Sequence, residues 1–347
     1  MGVGRYIFRA MRYVIVGAGA IGGTVAAYLA RAGQPLLVVD REVEHVRAMQ
    51  QRGLTIRGFD ETFTVQVEAI TPDELPEQLD AVLLAVKAPA TETAVRSFVD
   101  RLAPDGYIVS LQNGLNELLI SQLAGAQRTI GAFVNFSADY LEPGLIHFGG
   151  RGTFVIGELD GTLSPRLYEL QRVLSAWGQV QVTHNIWGYL WGKQAYGAML
   201  FATALTNDSM ADAIDGHRAL MVDLANEVLG VAGASGISPL GFDGFEPAVI
   251  RSGDGAAIGA SLDRLIDIRH HDEKTHSGVW RDLAVRKRKT EVDAHFVPIV
   301  EEAQRRGLAV PRLRRLITLI HEIESGQRDF DPRNLDELAG AGPKVPA

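Results

Sequence analysis

The chain contains no cysteine, which excludes disulfides, cysteine-ligated metals and a thiol nucleophile while leaving the redox compartment open. It lacks any apolar run approaching the length of a bilayer span, and the stretch before Met11 is too short to carry the apolar core of a secretory signal. A cytoplasmic protein without a membrane partner is the expectation. Positive charge is not in excess either: the formal net charge is -8, which argues against a broad nucleic-acid-binding surface. The basic run Arg286-Lys287-Arg288-Lys289 reads as a solvated helix face. What is present is ordinary for a globular chain, with 46% hydrophobic and 22% charged residues. At 347 residues the chain exceeds the size at which single cores stop growing, so two domains are expected.

Strand and helix signals alternate through the first half. Short apolar runs at 13–16, 36–39, 81–86 and 107–111 read as buried strands, and amphipathic periodicity at 92–102 and 117–123 reads as helix. Short strands are expected at 54–57 and 62–67. This order predicts a doubly wound parallel sheet, an α/β domain of the Rossmann type over 11–184. The glycine-punctuated segment 129–157 predicts antiparallel strands that finish that domain. Beyond it, 187–205, 216–234, 262–267, 280–303 and 312–325 carry helical periodicity, so 185–330 reads as a mostly α-helical substrate or dimerisation domain. Residues 1–10 read as a loose extension and 331–347 as a tail, frayed over 339–347.

The strongest local signal is Val14-Ile15-Val16-Gly17-Ala18-Gly19-Ala20-Ile21-Gly22-Gly23. It follows a strand and opens a helix, which is the context that gives a glycine pattern meaning. Gly17 permits the tight turn, Gly19 admits a pyrophosphate against bare backbone, and Gly22 lets the helix pack closely on the strand. With Ala18, Ala20 and Ile21, these residues are the expected dinucleotide cradle at a helix N-terminus.

The end of the second strand, Val38-Val39-Asp40-Arg41, carries two opposed signals. Asp40 would accept from adenosine ribose hydroxyls and repel a 2′-phosphate, favouring NAD; Arg41 would pair with that phosphate, favouring NADP. Val86-Lys87-Ala88 and Gln112-Asn113-Gly114 place Lys87 and Asn113 just past buried strands, along the same crevice. A solvated lysine and a turn asparagine are the plain alternatives. Lys193 stands among Trp191, Tyr196 and Met199 on an otherwise apolar helix, so its ammonium is expected to be partly desolvated, with a lowered pKa suited to protonating an alkoxide; the alternative is a lysine snorkelling at a domain edge. Glu291 in Thr290-Glu291-Val292-Asp293 would orient a substrate hydroxyl or pair with Lys287 one helical turn back. His270, His271 and His276 read as surface residues of one loop rather than a metal site, since no acid accompanies them.

Taken together, Gly17–Gly23, Val86–Ala88, Gln112–Gly114, Trp191-Gly192-Lys193, Ser277–Asp282 with Thr290–Asp293, and Gly307–Pro311 resemble the ketopantoate reductase (2-dehydropantoate 2-reductase) family over about residues 11 to 325. The resemblance implies NAD(P)H-dependent reduction of a 2-oxo acid, as in pantothenate biosynthesis. It also implies Lys193 as general acid, Glu291 on the substrate, Asn113 and Lys87 at the nicotinamide end, NADP as the default cofactor with Arg41 on its 2′-phosphate, and room for a homodimer. The chain departs from the family in the expected substrate pocket. Where the family places asparagines one and two turns after the lysine, this chain has Gly197 and Phe201, and the second serine of a Ser-Ser pair is Gly278, leaving Ser277. The pocket is therefore expected to be larger and more apolar. Two alternatives follow: an NAD-linked dehydrogenase of a bulkier D-2-hydroxy acid, such as mandelate, and a non-catalytic nucleotide-binding sensor.

Overall fold

The computed structural model describes residues 11–59, 61–271 and 274–342. The segment expected to be an extension lies outside them. The chain divides between Ile186 and Trp187 into two units.

The strands of the first unit are β1 (Tyr13–Val16), β2 (Leu36–Val39), β3 (Leu54–Gly58), β4 (Thr62–Val65), β5 (Ala69–Ile70), β6 (Leu79–Leu84), β7 (Leu102–Ser110), β8 (Thr129–Val134), β9 (Ser137–Glu142), β10 (Leu145–Gly150), β11 (Phe154–Glu158) and β12 (Gln181–Val182). Its helices are α1 (Ala20–Arg31), α2 (Val43–Arg52), α3 (Thr91–Phe98), α4 (Asn116–Ala124) and α5 (Pro165–Leu174). Eight strands form one sheet in the order β12-β11-β8-β7-β6-β1-β2-β5. From β5 to β8 all neighbours are parallel, and β11 is antiparallel to β8. The chain winds outward from β1 through β2 to β5, then returns on the other side of β1 as β6. The strand order therefore reverses between β1 and β6, where ligands of such sheets bind.

Successive strand side chains point to opposite faces, and here each face has its own core. Ile15, Val38, Leu83 and Val109 pack with Val25 and Leu29 of α1 and Leu170 of α5. Val14, Val16, Val82 and Ile108 pack with Val95 and Phe98 of α3 and Ile120 of α4. The segment expected to finish the domain does so only in part. β9 and β10 leave the main sheet and join the β3–β4 ribbon in a second sheet of order β4-β3-β10-β9. Leu54, Ile56, Ile146 and Phe148 of that sheet are buried in the same core as α1.

The second unit is helical: α6 (Ile186–Thr203), α7 (Met210–Gly216), α8 (Arg218–Ala234), α9 (Pro247–Ile250), α10 (Gly255–His271), α11 (Gly278–Trp280), α12 (Val292–Arg305), α13 (Pro311–Glu324) and α14 (Arg333–Gly340). In α13, Leu313, Leu316, Ile320 and Ile323 are buried at helical spacing. The Glu227 carboxylate on α8 accepts the Arg312 and Leu313 amides at 3.0 and 2.8 Å, satisfying donors that a helix N-terminus leaves open. Among the described residues no helix is long and apolar enough to cross a membrane.

Three expectations are corrected. The single helix over 280–303 is broken: a π-turn over Arg281–Val285 follows α11, Lys287 adopts φ +50°, and α12 starts only at Val292. The basic run is consequently not a helix face. Arg286 and Arg288 both bind the buried Asp282 carboxylate, at 2.7 and 2.9 Å, and the need to neutralise that acid folds the loop inward. The segment after 330, expected to be a tail, carries α14, whose Leu335 and Leu338 are fully buried.

Candidate functional site

In the first unit the fingerprint forms a tight turn between β1 and α1. Gly17 has φ +96°, and a Cβ there would stand 2.8 Å from the Ala85 carbonyl carbon and the Val86 nitrogen. A side chain is excluded both by conformation and by the closeness of the β6 end. At Gly22 a Cβ would lie 2.0 Å from the Gly17 carbonyl oxygen, so this glycine sets how near α1 lies to the turn. Gly19 is different: a Cβ there would meet nothing within 4 Å. Gly19 is also the N-cap of α1 and offers no side-chain cap. Ala20 and Ile21 follow as the first helical residues, whose N–H groups have no intrahelical acceptor. Open space beside uncapped amides at the positive end of a helix is the requirement for a phosphate group.

Asp40 turns back onto this turn. One carboxylate oxygen accepts the Ala18 N–H at 2.7 Å and the other accepts the Glu42 N–H at 2.9 Å. The Arg41 side chain is 79% exposed and pairs with Glu42 at 3.1 Å, a geometry worth little in water. Burial and the carboxylates of Asp40, Glu42, Glu44 and Glu142 all push the pKa of the nearby Tyr140 hydroxyl upward, so the surroundings of the β2 end are acidic.

Lys87 and Asn113 are exposed beyond the ends of the adjacent strands β6 and β7. Buried Gln112 ties these loops together by donating to the Val86 carbonyl and the Thr91 hydroxyl, each at 2.7 Å. Asn116 donates to the Asn113 carbonyl at 2.5 Å. The structure therefore gathers Gly17–Gly22, Asp40, Lys87 and Asn113 along the carboxyl edge of β2, β1, β6 and β7.

In the second unit most of α6 is buried, but Tyr189, Lys193, Gly197 and Leu200 are half-buried. Their spacing marks one face of the helix. Gly192, beside Lys193, is required by packing, because a Cβ would fall 2.3 Å from the Leu240 carbonyl oxygen. At Gly197 the nearest atom to a Cβ would be His295 Nδ1 at 3.9 Å, so there is room for a side chain. Phe201 is 4% exposed, its ring 5.0 Å from both His295 and Phe296. It belongs to the packing between α6 and α12.

Glu291 stands at the N-cap position of α12, its carbonyl accepting the His295 N–H at 3.0 Å. It does not share a helix with Lys287, so the one-turn spacing to that residue no longer applies. His295 hydrogen-bonds through Nδ1 to Gln194 Oε1 at 2.8 Å. This contact joins the α6 residue next to Lys193 to the α12 residue one turn after Glu291. The Gln194 Nε2 is completely buried and has no partner among the described residues. Neither Gln194 nor His295 stands out in the sequence, where a lone histidine on an apolar face reads as core.

Ser277 is the N-cap of α11, where its hydroxyl accepts the Trp280 N–H at 3.2 Å. The three histidines do not share a loop. His270 and His271 end α10, while His276 bonds to the Asn207 carbonyl and stacks 4.1 Å from Trp280. Among the described residues no group of three metal-binding side chains comes together.

These two glycine- and lysine-centred arrangements coincide with a two-part family match. The model for ketopantoate reductase PanE/ApbA matches residues 13–161, and that for the PanE/ApbA C terminal matches residues 183–324. The chain belongs to the ketopantoate reductase family. A 2-dehydropantoate 2-reductase of Pyrococcus horikoshii is 34% identical over 187 residues, a match spanning 53% of this chain and 60% of that relative's length. The crystal structure of a PanE/ApbA family ketopantoate reductase from Ralstonia eutropha is 27% identical with TM-score 0.77, covering 91% of this chain and 99% of that one. A D-mandelate dehydrogenase, solved with NADH and anilino(oxo)acetate, shares the fold at 21% identity and TM-score 0.78, over 91% of this chain and 99% of its own. The family is NAD(P)H-dependent, and the glycine turn fits such a group: its open flank lies at Gly19 and amides without intrahelical acceptors lie at the start of α1.

Proposed function

We propose that this protein reduces a 2-oxo acid of the ketopantoate type to the 2-hydroxy acid with a reduced nicotinamide dinucleotide. The observation that carries the reading is the pairing, within one family member, of an uncapped glycine turn that admits a pyrophosphate and a lysine on the half-buried face of a mostly buried helix. Gly17, Gly19 and Gly22 with the amides of Gly19, Ala20 and Ile21 would hold the diphosphate, the Ala18 N–H being taken by Asp40 at 2.7 Å, and Asp40 and Arg41 would face the adenosine ribose. Lys87 and Asn113 would bracket the nicotinamide end. Bound there, the reduced nicotinamide supplies a hydride to the carbonyl carbon. Lys193 Nζ donates a proton to the carbonyl oxygen as charge develops on it, so the alcohol forms without a free alkoxide. Glu291 orients the substrate through a hydroxyl, and its position at the head of α12 keeps it one turn from His295.

For the dinucleotide we infer a preference for NADH. Asp40 is held by two backbone amides toward the turn, its surroundings are acidic, and Arg41 extends into solvent toward Glu42. A 2′-phosphate would meet more negative than positive charge there.

A second reading has an observation of its own. Gly197 leaves space on the Lys193 face, and Phe201, expected in the substrate pocket, is instead buried against His295 and Phe296 with no amide to offer, so a substrate with a bulkier apolar group is accommodated better than one whose hydroxyl needs polar partners. A panel of 2-oxo and 2-hydroxy acids assayed with NADH and NADPH separates these readings. Turnover of ketopantoate above aromatic or branched 2-oxo acids supports the first, the reverse order supports the second, and no nicotinamide-linked turnover with any of them refutes both.

A further inference from the structure

We propose that His45 is a positioning residue for the dinucleotide, acting through a single peptide unit of the glycine turn. His45 lies on α2 and is 1% exposed, with the Tyr140 ring edge-on at 5.0 Å. Its two ring nitrogens have partners of opposite kind. The Gly144 N–H, in the β9–β10 turn, reaches Nδ1 at 2.9 Å, so Nδ1 must be the acceptor. Nε2, 2.9 Å from the Ala18 carbonyl oxygen, must then carry the hydrogen and donate. One tautomer of the neutral ring satisfies both contacts, and the other satisfies neither.

The consequence lies in the geometry of the peptide bond. The Ala18 carbonyl and the Gly19 N–H belong to one planar trans unit and point in opposite directions. Holding that carbonyl on His45 turns the Gly19 N–H away from α2. Gly19 is the member of the turn with open surroundings. The preceding peptide is fixed in the same manner, its Ala18 N–H held by Asp40 at 2.7 Å. Two successive peptides are thus each set by one side chain, and in the second the group left facing away from α2 is the Gly19 N–H. Pyrophosphates in folds of this type are bound by such backbone groups, so the direction of the Gly19 amide is a determinant of affinity.

The second sheet supplies the other end of the brace. Gly144 has φ +80° and its carbonyl accepts the Thr55 N–H at 2.8 Å. Ile146, from the next strand, lies where a Cβ on Gly23 would be, with its Cδ1 at 2.2 Å. The β9–β10 hairpin therefore braces the turn through His45 and packs directly on the start of α1 at Gly23.

This inference rests on the reading that the turn binds a dinucleotide, and the experiment distinguishes the two. NADH is titrated into the full-length wild type and into His45→Gln, His45→Asn and His45→Ala by fluorescence, with kcat at saturation and the thermal midpoint measured alongside. Glutamine can place an amide N–H near the Nε2 position and so serve the Ala18 carbonyl, whereas asparagine can place an acceptor near Nδ1 and serve only Gly144. The expected result is that His45→Gln stays within about threefold of the wild-type Kd, while His45→Asn and His45→Ala weaken NADH by about tenfold or more, the range for one hydrogen bond to a buried carbonyl. Saturated kcat changes less than about twofold in each, since no reacting atom is touched. Wild-type affinity in His45→Asn, or equal weakening in His45→Gln and His45→Asn, overturns the role of His45 and leaves the dinucleotide reading standing. Absence of NADH binding by the wild type overturns both.

Discussion

The two units present functional groups by different means. In the first, the surface offered to a ligand is backbone: the Gly19 amide and the first amides of α1, with side chains such as Asp40 and His45 acting on the peptides from behind. In the second, the proposed function gives the work to side chains, Lys193 on the half-buried face of α6 and Glu291 at the head of α12. A backbone site tolerates almost no change in the residues that shape it, because a single Cβ collides with main chain. A side-chain site can lose or change members while the helices beneath persist. Replacement of both expected amides, by Gly197 and Phe201, in an otherwise packed helix is an instance.

The largest effect is expected where the backbone site is broken at its tightest point. Gly22→Val would place a Cβ 2.0 Å from the Gly17 carbonyl oxygen, which no rotamer relieves. Loss of NADH binding together with a destabilisation of about 3 kcal/mol or more is expected, beyond the usual range for overpacking because the obstacle is main chain. Calorimetry and NADH titration check this pair of outcomes. Gly19→Val sharpens the contrast. A Cβ there meets nothing within 4 Å, so the thermal midpoint should stay near that of the wild type while NADH affinity falls by about tenfold or more. Equal stability losses in the two variants would remove the distinction between a packing glycine and an approach glycine.

In the side-chain site, Phe201→Asn should cost about 3 kcal/mol, since a ring packed on His295 and Phe296 is replaced by a smaller polar group. Urea unfolding measures it, and a neutral result would mean that Phe201 lines open space rather than core. Cofactor choice ranks next. Asp40→Ala should raise the NADPH to NADH ratio of kcat/KM by about tenfold, through loss of one close charge, and Arg41→Ala should lower it by a smaller factor because that guanidinium is exposed. Unchanged ratios in both would show that neither side chain reaches the 2′ position. The smallest effect is Gly197→Asn, for which there is room. A gain of a few fold in kcat/KM for ketopantoate relative to an aromatic 2-oxo acid is expected, about the worth of one added hydrogen bond; a loss for ketopantoate would place its polar contacts elsewhere.

The same contrast explains what could be read from the chain before any coordinates. The glycine turn was legible because the glycines themselves are the steric requirement, and each of Gly17, Gly19 and Gly22 meets a different one. The parallel sheet was legible because β1, β2 and the segments 81–84 of β6 and 107–109 of β7 are apolar runs covered on both faces. The second sheet was not, because β3 pairs with β10 across a long sequence separation and no local pattern records such a pairing. The break before α12 was hidden by composition. Arg286, Lys287, Arg288 and Lys289 are good helix formers, and what overrides them is the tertiary demand of buried Asp282 for two guanidinium partners. α14 was missed because it is short and its core contribution rests on Leu335 and Leu338. His45 and His295 gave no signal, since their roles depend on partners at Gly144, Ala18 and Gln194 that lie far away in the chain.

The central claim, that Lys193 completes on the helical unit the chemistry for which the glycine turn holds a dinucleotide, is tested most directly by single-turnover kinetics of Lys193→Ala. Enzyme saturated with NADH is mixed with the best 2-oxo acid of the panel, and the loss of reduced-nicotinamide absorbance is followed beside the wild type. The account predicts an unchanged Kd for NADH and a chemical step slowed by about 10²-fold or more, the usual contribution of a positioned general acid. A variant that consumes bound NADH at the wild-type rate would contradict it.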